Sequence, residues 1–181
     1  MKKAIFLDRD GVLNKEINNL FKKEHVEILP KVKEILKKLK EKGYLLIVIT
    51  NQPVIARGLI GEKGIKELNK YINLKLDDLI DKFYVCPHHP HANLKEYRKQ
   101  CDCRKPLPGM ILHGAKEFDI DLNQSYVIGD RISDIIAGKK AGCKTILLET
   151  DYSHKKIIGE GFEEIEPDFI VKFLKDCLKI I

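Results

Sequence analysis

Two aspartates one residue apart, Asp8 and Asp10, close the apolar run AIFL and precede Gly11. Four apolar residues in a row read as a buried strand. Acids at its end therefore lie on the carboxyl edge of a sheet, where open α/β sheets hold ligands. Crowded carboxylates repel one another unless a cation or a shared proton relieves them, and Gly11 permits the tight turn that follows. Three more segments carry matching chemistry. Thr50 and Asn51 follow the apolar run YLLIVI. Arg104 and Lys105 precede a Pro-rich helix start. Asp130, with Asp134 four residues on, follows SYVIG. A carboxylate can attack phosphorus, and a second acid can protonate the leaving oxygen and then activate water. A hydroxyl, an amide and a lysine suit phosphoryl oxygens as charge develops. A third acid suits a hard cation such as Mg²⁺. The expected chemistry is metal-assisted phosphoryl transfer.

The elements that must position these groups alternate. Strands are expected at AIFL, Tyr44–Thr50, Phe83–Val85, Ser125–Asp130 and Thr145–Glu149, with a sixth at Asp168–Val171. Helices are expected at Pro30–Lys42, Glu62 to about Lys82, Pro108–Asp119 and Ile132–Ala141, with a closing helix at the end. The first has Pro30 at its first position and Gly43 as a cap. Alternation of this kind implies an α/β fold, a Rossmann-like parallel sheet with helices on both faces. Right-handed crossovers give the order 3-2-1-4-5. Strands one and four are then neighbours at a topological switch point, and both end in acids. One domain over residues 1–181 is expected from the length.

A second constellation is Cys86-Pro87-His88 with Cys101-Asp102-Cys103. Three thiolates and an imidazole make a closed tetrahedral zinc site, and a site with no open position is structural. His89 and His91 are rival ligands, with His88 preferred for the symmetry of the two short pairs. Such a Zn²⁺ pins the polar loop 87–100 and fixes Arg104 and Lys105, which follow Cys103 directly. Cys143 and Cys177 read as small buried apolar residues. An odd count of five cysteines argues against a disulfide framework.

Bulk properties narrow the partners. The net charge of +6 is mild and favours anionic substrates. No stretch interleaves aromatic and basic residues, so no nucleic-acid track is expected. No apolar run reaches the ~18 residues of a membrane span, and the run after MKK is too short for a signal peptide of ~7–15 apolar residues. A cytoplasmic monomer acting on a small molecule is expected. Arginine is rare, and Arg9, Arg57, Arg104 and Arg131 all fall inside or beside the motifs. A planar guanidinium suits phosphate.

In order and spacing, DRDG, the Thr of TNQ, the Lys of CRKP and GDRISD resemble the four motifs of the haloacid dehalogenase (HAD) superfamily phosphatases. That resemblance implies Asp8 as nucleophile and Asp10 as general acid/base. It places Mg²⁺ on the Asp8 carboxylate, the Asp10 carbonyl and Asp130, and the phosphoryl group on Thr50 and Lys105. TNQPVIARG, CPHHP and CDCRKPLPGM further resemble the D-glycero-D-manno-heptose-1,7-bisphosphate 7-phosphatase group and its relative, histidinol-phosphate phosphatase. The resemblance runs from about Lys3 to Glu149. It implies no large cap domain, and zinc on Cys86, His88, Cys101 and Cys103. It implies basic phosphate contacts at Arg104 and Lys105, with Asn51, Arg57 and Arg131 nearby. The leading expectation is hydrolysis of the 7-phosphate of a heptose bisphosphate. Histidinol-phosphate hydrolysis is the alternative, with a polynucleotide 3′-phosphatase and a non-catalytic zinc-stabilised module behind it. Pro53-Val54 replaces the usual Ser-Gly. Proline is expected to push Gln52 extended, and valine cannot take the positive φ that glycine supplies. Lys15–Ile28 lacks the group's Tyr-Val pair.

Overall fold

A computed structural model describes residues 1–151, 153 and 165–181; residues 152 and 154–164, which the single-domain expectation includes, lie outside the described residues. Six strands form one sheet: β1 Ala4–Leu7, β2 Leu45–Asn51, β3 Lys82–Cys86, β4 Tyr126–Gly129, β5 Lys144–Leu148 and β6 Phe169–Val171. Their order is β3-β2-β1-β4-β5-β6 and every pairing is parallel. The sixth strand extends the expected order at its edge. Among the described residues five α-helices accompany them: α1 Val32–Glu41, α2 Pro53–Ala56, α3 Glu62–Lys75, α4 Gly109–Phe118 and α5 Ile132–Ala141.

Alternation within the strands divides the core. Ile5, Leu7, Leu46, Val48 and Ile128 face α1 and α3 through Ile35, Leu36, Leu39, Leu68 and Ile72. Phe6, Ile47, Ile49 and Val127 face the opposite side, with Met110 and Ile111 of α4 and Ala137 of α5. A sheet covered on both faces needs apolar residues at every strand position, which explains the continuous runs. The register pairs Leu7 with Val48 and with Ile128. Strands β1, β2 and β4 therefore end side by side, and the residues after each share one crevice.

Several boundaries differ from expectation. Pro30 does not open α1; Lys31 caps it with φ 63°, and the helix starts at Val32. α3 stops at Lys75, because Asp77 and Asp78 take left-handed φ of 54° and 55°, which no helix continues. Lys82 belongs to β3. The closing helix is a 3₁₀ turn, Leu174–Lys179, packed on α1. Among the described residues no helix is long and apolar enough to cross a membrane.

Candidate active site

Asp8 and Lys105 form the buried centre. Lys105 Nζ lies 2.9 Å from Asp8 Oδ1 and 2.6 Å from Asp134 Oδ1, and it donates to the Ile49 carbonyl at 2.8 Å. Asn51 fixes the Lys105 backbone from both sides, donating to its carbonyl at 3.0 Å and accepting from its N–H at 3.1 Å. Asp8, Asp130 and Asp134 each offer an oxygen, all within 4.8 Å of one another. Asp130 follows β4, whereas Asp134 sits in the first turn of α5, where its carboxylate accepts from the Arg131 N–H.

These acids carry more negative charge than Lys105 neutralises. Burial pushes Asp8 up to about 7; Lys105 opposes the shift, and Asp134 and Asp10 add to it. Burial likewise pushes Asp130 up to about 8, reinforced by Asp8 and Asp134. Burial alone would lower the Lys105 ammonium, but Asp134 and Asp8 outweigh it and hold it above its ordinary value. Asp130 Oδ1 is buried and accepts no hydrogen bond among the described residues. Gly11, at φ 86°, leaves only hydrogen where a side chain would strike Asp130. A hard divalent cation fits this donor set: oxygen ligands, surplus charge and an unsatisfied buried oxygen.

Asp10 points elsewhere. Its Oδ1 accepts from Arg9 Nε at 3.1 Å, Arg9 Nη2 at 3.0 Å and Asn14 Nδ2 at 2.8 Å. Its Oδ2 accepts from Arg9 Nη2 at 2.9 Å and Gln52 Nε2 at 2.7 Å. The same Gln52 amide donates to Thr50 Oγ1 at 2.9 Å, tying the ends of β1 and β2 together. Nothing in the sequence marks the contacts of Asn14 and Gln52, and Arg9, one of the arginines expected to suit phosphate, grips Asp10 instead. Arg9 alone had a signal, as a rare arginine inside DRDG.

A cleft of about 500 Å³ opens over these groups. Asp8, Asp10, Thr50, Asn51 and Lys105 line it, and so do Arg57, Arg104 and Arg131. All eight sequence-predicted catalytic and phosphate-contacting residues thus meet in one crevice. The arginines are held from the protein side. Arg57 donates to Asn19, Arg104 to the His88 carbonyl at 2.8 Å, and Arg131 pairs with Glu16 at 2.8 Å. Burial raises the Glu16 carboxyl, Asp10 reinforces the shift and Arg131 opposes it. Pro53 and Val54 do not distort this wall. Proline takes the first position of α2, and buried Val54 lies in the same helix and needs no positive φ. Gln52 is not extended as expected but sits at φ −119°, ψ 76°, which turns the chain into that helix.

The second constellation also assembles. Cys103 Sγ lies 3.2 Å from Cys86 Sγ and 3.3 Å from Cys101 Sγ, with Cys86 and Cys101 at 3.7 Å. His88 Nδ1 is 3.4 Å from Cys103 and 3.9 Å from Cys86. Ligands at ~2.3 Å from a tetrahedral centre stand ~3.8 Å apart, so the four atoms fit a zinc ion. Of the rival ligands, His89 lines the cleft instead, with Nδ1 accepting from the His91 N–H at 3.1 Å.

Comparison with known proteins gives one answer. Residues 102–177 match the HAD-hydrolase-like family model. The chain is 38% identical to D-glycero-beta-D-manno-heptose-1,7-bisphosphate 7-phosphatase of Haemophilus ducreyi, over 99% of this chain and 98% of that one. The chain belongs to the heptose-1,7-bisphosphate 7-phosphatase family. It is an HAD-like phosphatase. A Photorhabdus laumondii relative named for the alpha anomer is 46% identical over 81% of each chain. Among solved structures, D,D-heptose 1,7-bisphosphate phosphatase from B. bronchiseptica, complexed with magnesium and phosphate, superposes with a TM-score of 0.81 at 28% identity, covering 98% of this chain and 97% of that one. That structure thus shares this fold over nearly the whole of both chains, and among the described residues no separate cap domain is present.

Proposed function

We propose that this phosphatase removes the 7-phosphate of D-glycero-D-manno-heptose 1,7-bisphosphate with Mg²⁺, through an aspartyl-phosphate on Asp8. The observation that carries the reading is the two-ended cleft. A buried Asp8–Lys105 pair lies at its floor, and Arg57, Arg104 and Arg131 line the same space. One phosphate meets the nucleophile, and the other meets guanidinium forks suited to bidentate contact. The family relatives named for this bisphosphate support the choice.

In this reading the Asp8 carboxylate attacks phosphorus, and the bond to the sugar oxygen breaks. Asp10 gives its proton to that oxygen. It then takes a proton from water, and the hydroxide attacks the phosphorus of the aspartyl-phosphate, freeing phosphate and Asp8. Thr50 and Lys105 hold the phosphoryl oxygens, and Asn51 holds Lys105 in place. The Asp8 carboxylate, the Asp10 carbonyl and Asp130 would hold Mg²⁺, with Asp134 beside them. Bound there, Mg²⁺ supplies positive charge to the phosphoryl oxygens. Cys86, His88, Cys101 and Cys103 would hold Zn²⁺, which would fix the loop whose His88 carbonyl accepts from Arg104. Thiolates kept for zinc suit a reducing compartment, in line with a cytoplasmic enzyme.

Phosphate release from the heptose bisphosphate and from histidinol phosphate, compared as kcat/KM, tests the reading. The expected result is preference for the bisphosphate. Histidinol phosphate presents cationic groups to the arginine wall, a mismatch that lowers its affinity. A higher kcat/KM for histidinol phosphate would overturn the substrate choice.

A further inference from the structure

Among the described residues Arg9 is the largest fully buried side chain. A buried guanidinium is costly unless every donor direction is used. Here Nε and Nη2 grip both oxygens of Asp10, and Nη1 donates to Asn69 Oδ1 at 3.0 Å. Asn69 is itself buried and belongs to α3, sixty residues along the chain. The Arg9 N–H donates to Asp8 Oδ1 at 2.7 Å, and its carbonyl accepts from the Leu13 and Asn14 N–H groups. One residue therefore ties together Asp8, Asp10, the turn after β1 and a helix remote from the cleft.

We infer that Arg9, anchored by Asn69, is a positioning residue that holds the Asp10 carboxyl in line for proton transfer, so that α3 forms part of the catalytic apparatus. The inference rests on the proposed acid/base role of Asp10. Two oxygens gripped by one planar fork leave the carboxyl little freedom to rotate about its Cβ–Cγ bond. Asn14 and Gln52 meet the same carboxyl from two further directions. Without Asn69, the guanidinium keeps its charge but loses the contact that sets its plane. In the step concerned, Asp10 transfers a proton to the sugar oxygen as the P–O bond breaks, and the electron pair of that bond stays on oxygen. A poor alkoxide leaving group needs that proton, whereas a p-nitrophenolate departs without it. A merely structural Arg9 would affect both esters alike.

The test measures single-turnover ester cleavage, with enzyme in excess, for a primary alkyl phosphate and for p-nitrophenyl phosphate. Asn69→Leu, Arg9→Lys and Asp10→Asn are compared with wild type. Single-turnover cleavage isolates the first step from the later attack of water. General-acid catalysis contributes typically ~10²–10⁴-fold, and a partly misplaced acid forfeits part of that. Asn69→Leu and Arg9→Lys should slow alkyl cleavage roughly ten-fold or more beyond any slowing of the aryl ester, with Asp10→Asn showing the same bias more strongly. Equal slowing of both esters by Asn69→Leu and Arg9→Lys, or no slowing, overturns the inference. If Asp10→Asn keeps its bias in that case, the acid role of Asp10 survives. If Asp10→Asn slows both esters equally, the role of Asp10 falls and the inference falls with it. Asn69→Leu preserves the buried Arg9–Asp10 pair, so the comparison stands even if Arg9→Lys does not fold.

Discussion

Replacing Gly11 by alanine adds one methyl group where the turn after β1 meets Asp130. A Cβ built there stands 2.7 Å from Asp130 Cγ and closer still to Oδ2. Ordinary contact begins at 3.4 Å, so the carboxyl must retreat by more than 0.7 Å or the turn must open. Asp130 is fully buried, and its carboxyl keeps its place beside Asp8 and Asp134 only if it does not shift. The backbone adds its own cost, since φ is 86° and a side chain in the left-handed region costs ~1–2 kcal/mol. Mg²⁺ demands near-ideal octahedral geometry at ~2.0–2.1 Å, and a ~1 Å misplacement near a reacting centre can cost ~10²-fold. Gly11→Ala should therefore lower kcat/KM by one to two orders of magnitude, and excess Mg²⁺ should recover part of the loss. The assay is phosphate release titrated against Mg²⁺, with melting temperature measured in parallel. Gly43→Ala is the control. It shares a positive φ of 83° but meets nothing closer than 4.0 Å, so it should lose stability and keep its Mg²⁺ dependence. Unchanged turnover and Mg²⁺ dependence in Gly11→Ala would refute the placement of the cation against Asp130.

Zinc analysis should find about one ion per chain by the four-ligand argument, and Cys101→Ala should lower zinc content, melting temperature and affinity for the bisphosphate together, because Arg104 hangs on the His88 carbonyl; a zinc-free protein of normal stability contradicts this. In the metal-free protein Asp8 and Asp130 bind protons more tightly than in the unfolded chain, with values of about 7 and 8 against an ordinary 3.8. Their stabilising contribution is thus present near pH 4 and is lost as pH rises to about 8; excess Mg²⁺ should flatten that fall, and a metal-free melting temperature that climbs steadily from pH 5 to 8 contradicts it. Arg57→Ala should raise KM for the bisphosphate roughly ten-fold, the scale of one charge-assisted hydrogen bond, with a smaller effect on a simple monophosphate; equal effects on both would remove Arg57 from the far phosphate.

Much of this molecule was legible in its sequence, for a definite physical reason. A parallel sheet covered on both faces turns its strands into continuous apolar runs. AIFL, LLIVI, YVIG and TILL stand out, and Asp8, Thr50 and Asp130, which follow the first three, mark the site. The crowded acids after β1 and β4 and the Cys/His quartet follow from those strand ends and from ligand spacing, whereas the part each acid is expected to play came from the family resemblance. Side-chain direction was not legible. Asp8 and Asp10 share a motif, yet one turns to Lys105 and the other to Arg9, because the strand ends at Leu7 and the backbone bends at Arg9 between the two acids. Gln52, Glu16 and Asn19 act through partners 42, 115 and 38 residues away, and such pairs exist only once the chain has folded. α3 ended early because two consecutive aspartates took left-handed φ, a choice that apolar periodicity does not report. The departure at Pro53-Val54 proved benign, since the local chain is a helix and proline suits its first position.

The proposed role of Asp8 is to carry the phosphoryl group between substrate and water. It is tested most directly by acid quench of the enzyme during turnover of phosphorus-labelled heptose bisphosphate, followed by peptide mapping. The expected result is an acid-stable, hydroxylamine-labile phosphoryl group on the peptide that contains Asp8, dependent on Mg²⁺ and absent from Asp8→Asn. Label on another residue, or wild-type turnover by Asp8→Asn, would contradict it.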